Sequence, residues 1–236
     1  MTLTNIRIVL INTSHPGNIG ATARAMKTMG LAELYLVNPA LFPHVRADEM
    51  ASGALDVLGK AVVTDHLDDA ISDCGLVMGA SARSRTIPWP HLTPRQCAEK
   101  AILESSQTKI AILFGREQSG LTNEELHRCH FHVEIPSNPA YRSLNVAAAV
   151  QVIAYELYVG SLTPSTSVWD YDYAAAQDVE GFYIHLERIL VALSFLKPEA
   201  PRQLMTRLRR LFNRARLDVM EVNILRGILN AIEKKM

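Results

Sequence analysis

The sequence predicts an α/β protein in which a parallel sheet is covered by helices on both faces and followed by a small all-helical extension. Three observations carry this reading. Short apolar runs rich in β-branched residues recur along the first 160 residues, and each is followed by a helical or turn-rich stretch, the alternation expected of buried parallel strands. A segment at 161–177, rich in Ser, Thr, Pro and Asp, then interrupts the pattern as a linker does. Beyond it, at 178–236, apolar residues return at helical spacing.

Taken in order, the runs predict strands at 6–11, 34–37, 61–64, 76–79, 110–114 and 132–135. Helix starts lie between them. Thr93-Pro94 pairs an N-cap with proline at the first helical position, and Thr122-Asn123-Glu124-Glu125 reads as a capping box. A longer helix is predicted over 144–160, with Ser143 as its N-cap and small residues in its first turns, where something must pack closely. The extension reads as helices at 178–195, 201–214 and 218–235, with Leu204, Leu208 and Leu211, then Ile224, Leu225, Ile228, Leu229 and Ile232, as core positions.

Composition excludes several classes. The 236 residues are 48% hydrophobic and 20% charged, an ordinary globular balance, and no apolar run approaches the ~18 residues of a membrane span. The first residues show no charged leader region or cleavage site, so a cytoplasmic location is expected. Cys74, Cys97 and Cys129 are odd in number and lack a C-x-x-C pair, which argues against a disulfide framework or zinc ribbon. Net charge is zero, but residues 197–236 hold 10 basic against 4 acidic side chains, a net +6. Such a segment suits a phosphate backbone or simply a solvated helix face.

Three loops at predicted strand ends stand where open α/β sheets bind ligands. In the first, Asn12 to Lys27, a turn leads into a helix of small residues, and Asn18, Arg24 and Lys27 are placed to meet an anion; the spacing is not G-x-G-x-x-G, so a dinucleotide fingerprint is unsupported. In the second, Gly115 and Gly120 bracket Arg116-Glu117-Gln118-Ser119 and allow a sharp turn close to a flat ligand. The third runs from Ile135 through Arg142, Ser143, Leu144 and Asn145. Each, taken singly, also reads as a turn or a cap.

Together, Asn18-Ile19-Gly20-x-Thr22-Ala23-Arg24, Phe114-Gly115-x-Glu117-x-x-Gly120-Leu121 and Ser143-Leu144-Asn145-Val146-Ala147 resemble, in order and separation, the three motifs of the SPOUT methyltransferases, TrmH-like branch. With the Ser81-Ala82-Arg83-Ser84-Arg85 loop and the helical extension, the resemblance covers essentially the whole chain. It implies a C-terminal trefoil knot, S-adenosylmethionine as cofactor, and 2′-O-methylation of cytidine or uridine at nucleotide 32 of the tRNA anticodon loop. It further implies a homodimer, with the motif-one helix and the helix after Leu144 at the contact. Carried over residue by residue, it points to Ala80, Ser81, Ala82, Gly115, Glu117, Ile135, Ser143, Leu144 and Asn145 for the cofactor. Arg24 and Ser143 become the catalytic pair, and Asn18, Arg24, Arg83, Arg85, Arg116 and Arg142 the RNA contacts. Arg24 is expected to position the acceptor and stabilise its developing charge, since guanidinium stays protonated.

No metal and no membrane partner are expected. His127, Cys129, His130 and His132 straddle a helix end and a strand, where alternating side chains diverge. A SPOUT enzyme acting on another tRNA or rRNA position, a non-catalytic RNA-binding relative, and more distantly a nucleotide-binding dehydrogenase are the other readings; the retained Arg24, Glu117 and Asn145 weigh against the second, the absent glycine fingerprint against the third.

Overall fold

A computed structural model describes residues 3–81, 89–162, 172–199 and 202–236. Seven strands form one fully parallel sheet: β1 (Ile6–Ile11), β2 (Glu33–Val37), β3 (Val62–Thr64), β4 (Cys74–Ala80), β5 (His91–Leu92), β6 (Lys109–Phe114) and β7 (Phe131–Val133), in the order β3-β2-β1-β6-β4-β7-β5. The helices are α1 (Pro16–Thr28), α2 (Val45–Ala51), α3 (Leu55–Gly59), α4 (Leu67–Ile71), α5 (Pro94–Glu104), α6 (Asn123–His127), α7 (Val146–Ser161), α8 (Ala176–Ala192), α9 (Leu204–Ala215) and α10 (Val219–Glu233).

Alternation along the strands sorts two cores. Ile6, Ile8 and Leu10 of β1 join Ile110, Ile112 and Phe114 of β6 under α1, α2, α5 and α7. Val9 and Ile11, with Ala111 and Leu113, face the opposite layer with Ile71, Leu121, Leu126 and Cys129, as the two-residue period of a strand requires. Arg7 follows the same alternation and is buried on the second face. Its guanidinium donates to Ala70 O at 2.7 Å and to both oxygens of Asp73 at 2.8 and 3.2 Å, and lies over the Tyr35 ring at 4.2 Å. Pairing of this kind is what makes a buried charge tolerable.

All six predicted strands are present. The two-residue β5 falls outside them because so short a run has no periodicity to read, and β7 ends at Val133, two residues before the predicted end. Thr93 and Thr122 each close a capping box, with Gln96 and Glu125. The N-cap of α7 is a correction: Asn145, not Ser143, holds that position, its side-chain oxygen accepting from Ala147 N at 2.9 Å. Ser143 lies two residues too early for its hydroxyl to reach the first turn.

The helical extension has its own core of Val179, Phe182, Tyr183, Ile189, Val222 and Leu229, and it docks on the sheet unit through polar groups. Arg216, at a left-handed backbone position (φ 58°) after α9, is 6% exposed and paired with Glu104, which is 2% exposed at the end of α5. Lys100 holds the same carboxylate at 2.9 Å, and the guanidinium stacks on Tyr173 at 4.4 Å. On the neighbouring face Glu180 accepts from Arg209 at 2.7 Å through both oxygens and pairs with Arg128 of the sheet unit. The two arginines outweigh the cost of burial and hold the Glu180 carboxyl below its ordinary range.

Candidate active site

The C-terminal ends of β4, β6 and β7 open into one cleft of about 380 Å³. Its walls are residues at and beyond those strand ends: Ala80 closing β4 and Ser81 after it, the loop from Gly115 to Gly120 after β6, and Ile135 with Arg142, Ser143 and Leu144 after β7. Ligand sites of open α/β sheets lie at such strand ends. Of the residues expected to hold a cofactor, Ala80, Ser81, Gly115, Glu117, Ile135, Ser143 and Leu144 line this one cavity. Ala82, with Arg83 and Arg85, lies outside the described residues.

Glycine is needed at two places in the β6 loop. The main chains of Arg116 and Gly120 bridge each other, N to O, at 3.2 and 2.8 Å, which folds the loop back on itself. A Cβ on Gly115 would stand 2.2 Å from the Gly120 carbonyl carbon, and Gly120 has φ +69°. Residues 115–120 together line the cleft. Arg116, expected at RNA, has its guanidinium on Glu125 at 3.0 and 3.1 Å, so within the chain it braces the loop against α6.

Glu117 ties this loop to the first motif. It accepts from Ser14 N and Oγ at 3.2 and 3.1 Å, from His15 N at 3.2 Å and from Asn18 Nδ2 at 2.9 Å. Burial pushes its carboxyl up, but these donors, Asn18 foremost, outweigh that and hold it below the ordinary glutamate value. Asn18 then accepts from Asn145 Nδ2 at 2.9 Å, and Asn145 caps α7. Glu117, Asn18 and Asn145 thus form one hydrogen-bonded line linking all three motifs. Ser14 and His15 are site residues that the sequence reading does not single out; their position just ahead of a helix start, where backbone amides lack partners and favour an anion, is the signal that could have found them.

Arg24 stands apart. It is exposed on α1, and neither it nor Asn18 lines the cleft. Among the described residues no ion pair includes it. Gly20 on the same helix serves packing instead, since a Cβ there would lie 2.0 Å from Ala47 O and the glycine lets α1 and α2 touch backbone to backbone. Arg142 is exposed at the mouth of the cleft.

The histidine-rich stretch also serves packing. His130 is buried and accepts from Val77 N at 3.0 Å through Nδ1; burial, with Arg216 nearby, holds it far below the usual imidazole value. His127 and His132 both stack on Trp89, at 5.8 and 5.4 Å between ring centres. Burial raises the thiol of Cys129, and those of Cys74 and Cys97 to about 12. Among the described residues no group of three His, Cys, Asp or Glu side chains is placed to hold a metal ion, and no helix is long and apolar enough to cross a membrane.

Comparison with known proteins agrees with this geometry. The SpoU rRNA Methylase family matches residues 5–155, and the family described as tRNA methyltransferase TrmJ, C-terminal domain, matches 177–236. The chain is 54% identical over 235 residues to the tRNA (cytidine/uridine-2′-O-)-methyltransferase TrmJ of Sodalis glossinidius, covering 98% of this chain and 92% of that protein. The protein of the same name from Cronobacter sakazakii is 53% identical over 237 residues, 98% of this chain and 97% of its own length. The crystal structure of TrmJ from Z. mobilis ZM4 superposes with a TM-score of 0.84 at 32% identity, over 96% of this chain and 98% of that one. By sequence, by fold and by the joining of its three motifs, the chain belongs to the SpoU rRNA methylase family, in the branch that carries the TrmJ C-terminal domain.

Proposed function

We propose that this protein is a cytoplasmic, S-adenosylmethionine-dependent tRNA methyltransferase that modifies the ribose 2′-hydroxyl of cytidine or uridine, at nucleotide 32 of the anticodon loop as the family resemblance implies. The observation that carries the reading is the hydrogen-bonded line Glu117–Asn18–Asn145, which gathers the three motifs beside the cleft at the ends of β4, β6 and β7. The relatives of more than 50% identity, whose names specify ribose methylation of tRNA cytidine and uridine, support it.

The cleft suits the donor. Its walls combine apolar residues (Phe114, Val133, Ile135, Leu144) with a glycine-bounded polar loop, Gly115 to Gly120, which fits a flat base and a polar tail. S-adenosylmethionine supplies, when bound, a methyl group on a sulfonium centre. Ala80, Ser81, Gly115, Ile135 and Leu144 would hold it, largely through backbone groups, and Asn145 would fix the start of α7 beside it. With that donor bound, an O–CH₃ bond would form as the S–CH₃ bond breaks, the thioether S-adenosylhomocysteine would leave and the hydroxyl proton would pass to solvent water; alignment of the two reactants by the protein would supply much of the rate. Arg24 would place the target phosphate and stabilise charge growing on the ribose oxygen, with Ser143 hydrogen-bonding to the same group. Arg142, Arg83 and Arg85 would contact the RNA.

Arg24 lies off the cleft of its own chain, which supports completion of the site by a second copy. The outward face of α7 carries Val152, Tyr155, Tyr158 and Leu162 exposed, while Val150, Ile153, Ala154 and Leu157 fill the core on the inner face. An exposed apolar stripe on a helix favours a covering partner, and α1 packs beside it, which supports a homodimer joined on α1 and α7. The trefoil knot is part of the same reading; it is supported by a strand order in which β6 lies between β1 and β4, and β7 between β4 and β5.

The test is incorporation of labelled methyl from S-adenosylmethionine into unmodified bulk tRNA, with mapping of the product. A 2′-O-methyl group on nucleotide 32 is expected. Label at another position would keep the chemistry and move the target; binding of the donor with no transfer to any RNA would overturn the proposal.

A further inference from the structure

Asn213 lies in the last turns of α9 and is 4% exposed. Its amide is fully used. Nδ2 donates to the carbonyls of His127 at 3.3 Å and Cys129 at 3.2 Å, and Oδ1 accepts from the Tyr183 hydroxyl at 2.7 Å. Those two carbonyls stand at the C-terminal end of α6. The Cys129 oxygen takes a further donor, the indole Nε1 of buried Trp89, at 2.9 Å.

The other end of α6 carries the cleft. Thr122 caps the helix, and Glu125 accepts from Thr122 N at 2.7 Å and from Arg116 Nη1 at 3.0 Å. Arg116 in turn pairs its main chain with Gly120. Leu121 and Leu126 are buried against the sheet between these points. This short helix is therefore pinned by the glycine loop at one end and by the extension at the other, and Asn213 itself touches nothing in the cleft.

We propose that Asn213 is a positioning residue for the methyl-donor loop: through α6 it holds residues 115–121 in their folded-back conformation, so that the helical extension sets the affinity of the cleft for S-adenosylmethionine. The proposal rests on the assignment of that cleft to the donor. Removing the amide takes its donor from the part-buried His127 carbonyl, leaves the Cys129 carbonyl with the Trp89 indole alone, and frees the end of α6 to shift. The extension thus serves the chemistry of the sheet unit as well as whatever surface it offers to RNA.

The test uses the full-length chain with Asn213→Ala, comparing calorimetric binding of S-adenosylmethionine, the KM for donor and for tRNA, and hydrogen exchange at the Arg116 and Gly120 amides. Expected are an about three- to tenfold loss of donor affinity, a matching rise in its KM, a smaller change in the KM for tRNA, and faster exchange at both amides. Leu229→Ala, in the core of the extension, is the destabilising control and, at temperatures where the variant is folded, is expected to leave donor affinity and exchange unchanged. Where Asn213→Ala does not fold, Tyr183→Phe removes the hydroxyl that donates to Asn213 Oδ1 at 2.7 Å, together with its longer contact to Arg209 O at 3.2 Å, and carries the same signature, more weakly. Unchanged affinity and exchange in the folded variant, or an equal change in Leu229→Ala, overturns the inference while leaving the functional reading intact. A wild-type chain that binds no S-adenosylmethionine removes the functional reading, and the inference with it.

Discussion

Asn145 donates its side-chain Nδ2 to Asn18 Oδ1 at 2.9 Å, across 127 residues of sequence, while its own side-chain oxygen caps α7. One residue thus does two separable jobs. Asn145→Asp keeps the capping oxygen, since aspartate caps helices as well as asparagine does, but turns the donor facing Asn18 into an acceptor. Thermal stability is expected to change by less than about 0.5 kcal/mol, while methyl transfer falls on the order of tenfold, the worth of one well-placed hydrogen bond. Unfolding curves and steady-state rates on the same preparation separate the two effects.

Gly115→Ala places a methyl group 2.2 Å from the Gly120 carbonyl carbon, and backbone cannot step aside as a flexible side chain can. The fold-back of the loop is expected to open, with loss of donor binding. Gly53→Ala, where an added methyl meets open space, should leave binding unchanged. Calorimetric titration of both variants with S-adenosylmethionine checks the contrast.

Arg24→Ala is expected to lower methylation on the order of a hundredfold or more with less than about 0.5 kcal/mol change in stability, because the side chain is exposed and enters no ion pair among the described residues. Turnover close to wild type would remove Arg24 from the role assigned to it. Sedimentation of the variant should match that of the wild type.

Asp73 gives a pH signature. Burial raises its carboxyl, but hydrogen bonds from Arg7 and Lys109 win and bring it from 3.8 to about 2. A carboxyl depressed in the folded state contributes stability that is present above its unfolded value and is lost as pH falls from about 4 through about 2. Its side chain is 46% exposed, so screening keeps the contribution within about 1 kcal/mol. Urea unfolding of wild type and Asp73→Asn is expected to show a gap at pH 6 that closes over that acid window.

What is legible in the sequence follows from where each signal is local. The strand runs, the capping boxes at Thr93 and Thr122 and the glycine pair at 115 and 120 declare themselves within a few residues, and all stand where expected. The gathering of cleft residues is legible only through the family pattern, since Ala80 and Ser143 are far apart in the chain. Contacts that depend on tertiary approach are not legible: Gly20 stands in the first motif with nothing to mark its contact with Ala47, and Arg116 is expected at RNA yet binds Glu125. Ser143 reads as the cap because serine caps helices well, but Asn145 caps equally well and lies closer to the first turn. Asn213 and Arg216 carry no local mark at all, being polar residues in a basic helix whose burial comes from another part of the chain.

The pairing of Arg216 with Glu104 constrains how this architecture can be taken apart. Its two charges belong to different units and neither has water to fall back on; Glu104 keeps Lys100 of its own helix at 2.9 Å, but among the described residues Arg216 has no acidic partner other than Glu104. Moving the helical extension onto another sheet domain would therefore require an acid at the end of the recipient's α5, and replacing Glu104 alone strands the buried Arg216 guanidinium at a cost of about 3 kcal/mol. The acid at 104 and the guanidinium at 216 thus act as one seat, which ties the extension to this sheet unit and keeps it from serving as a detachable module.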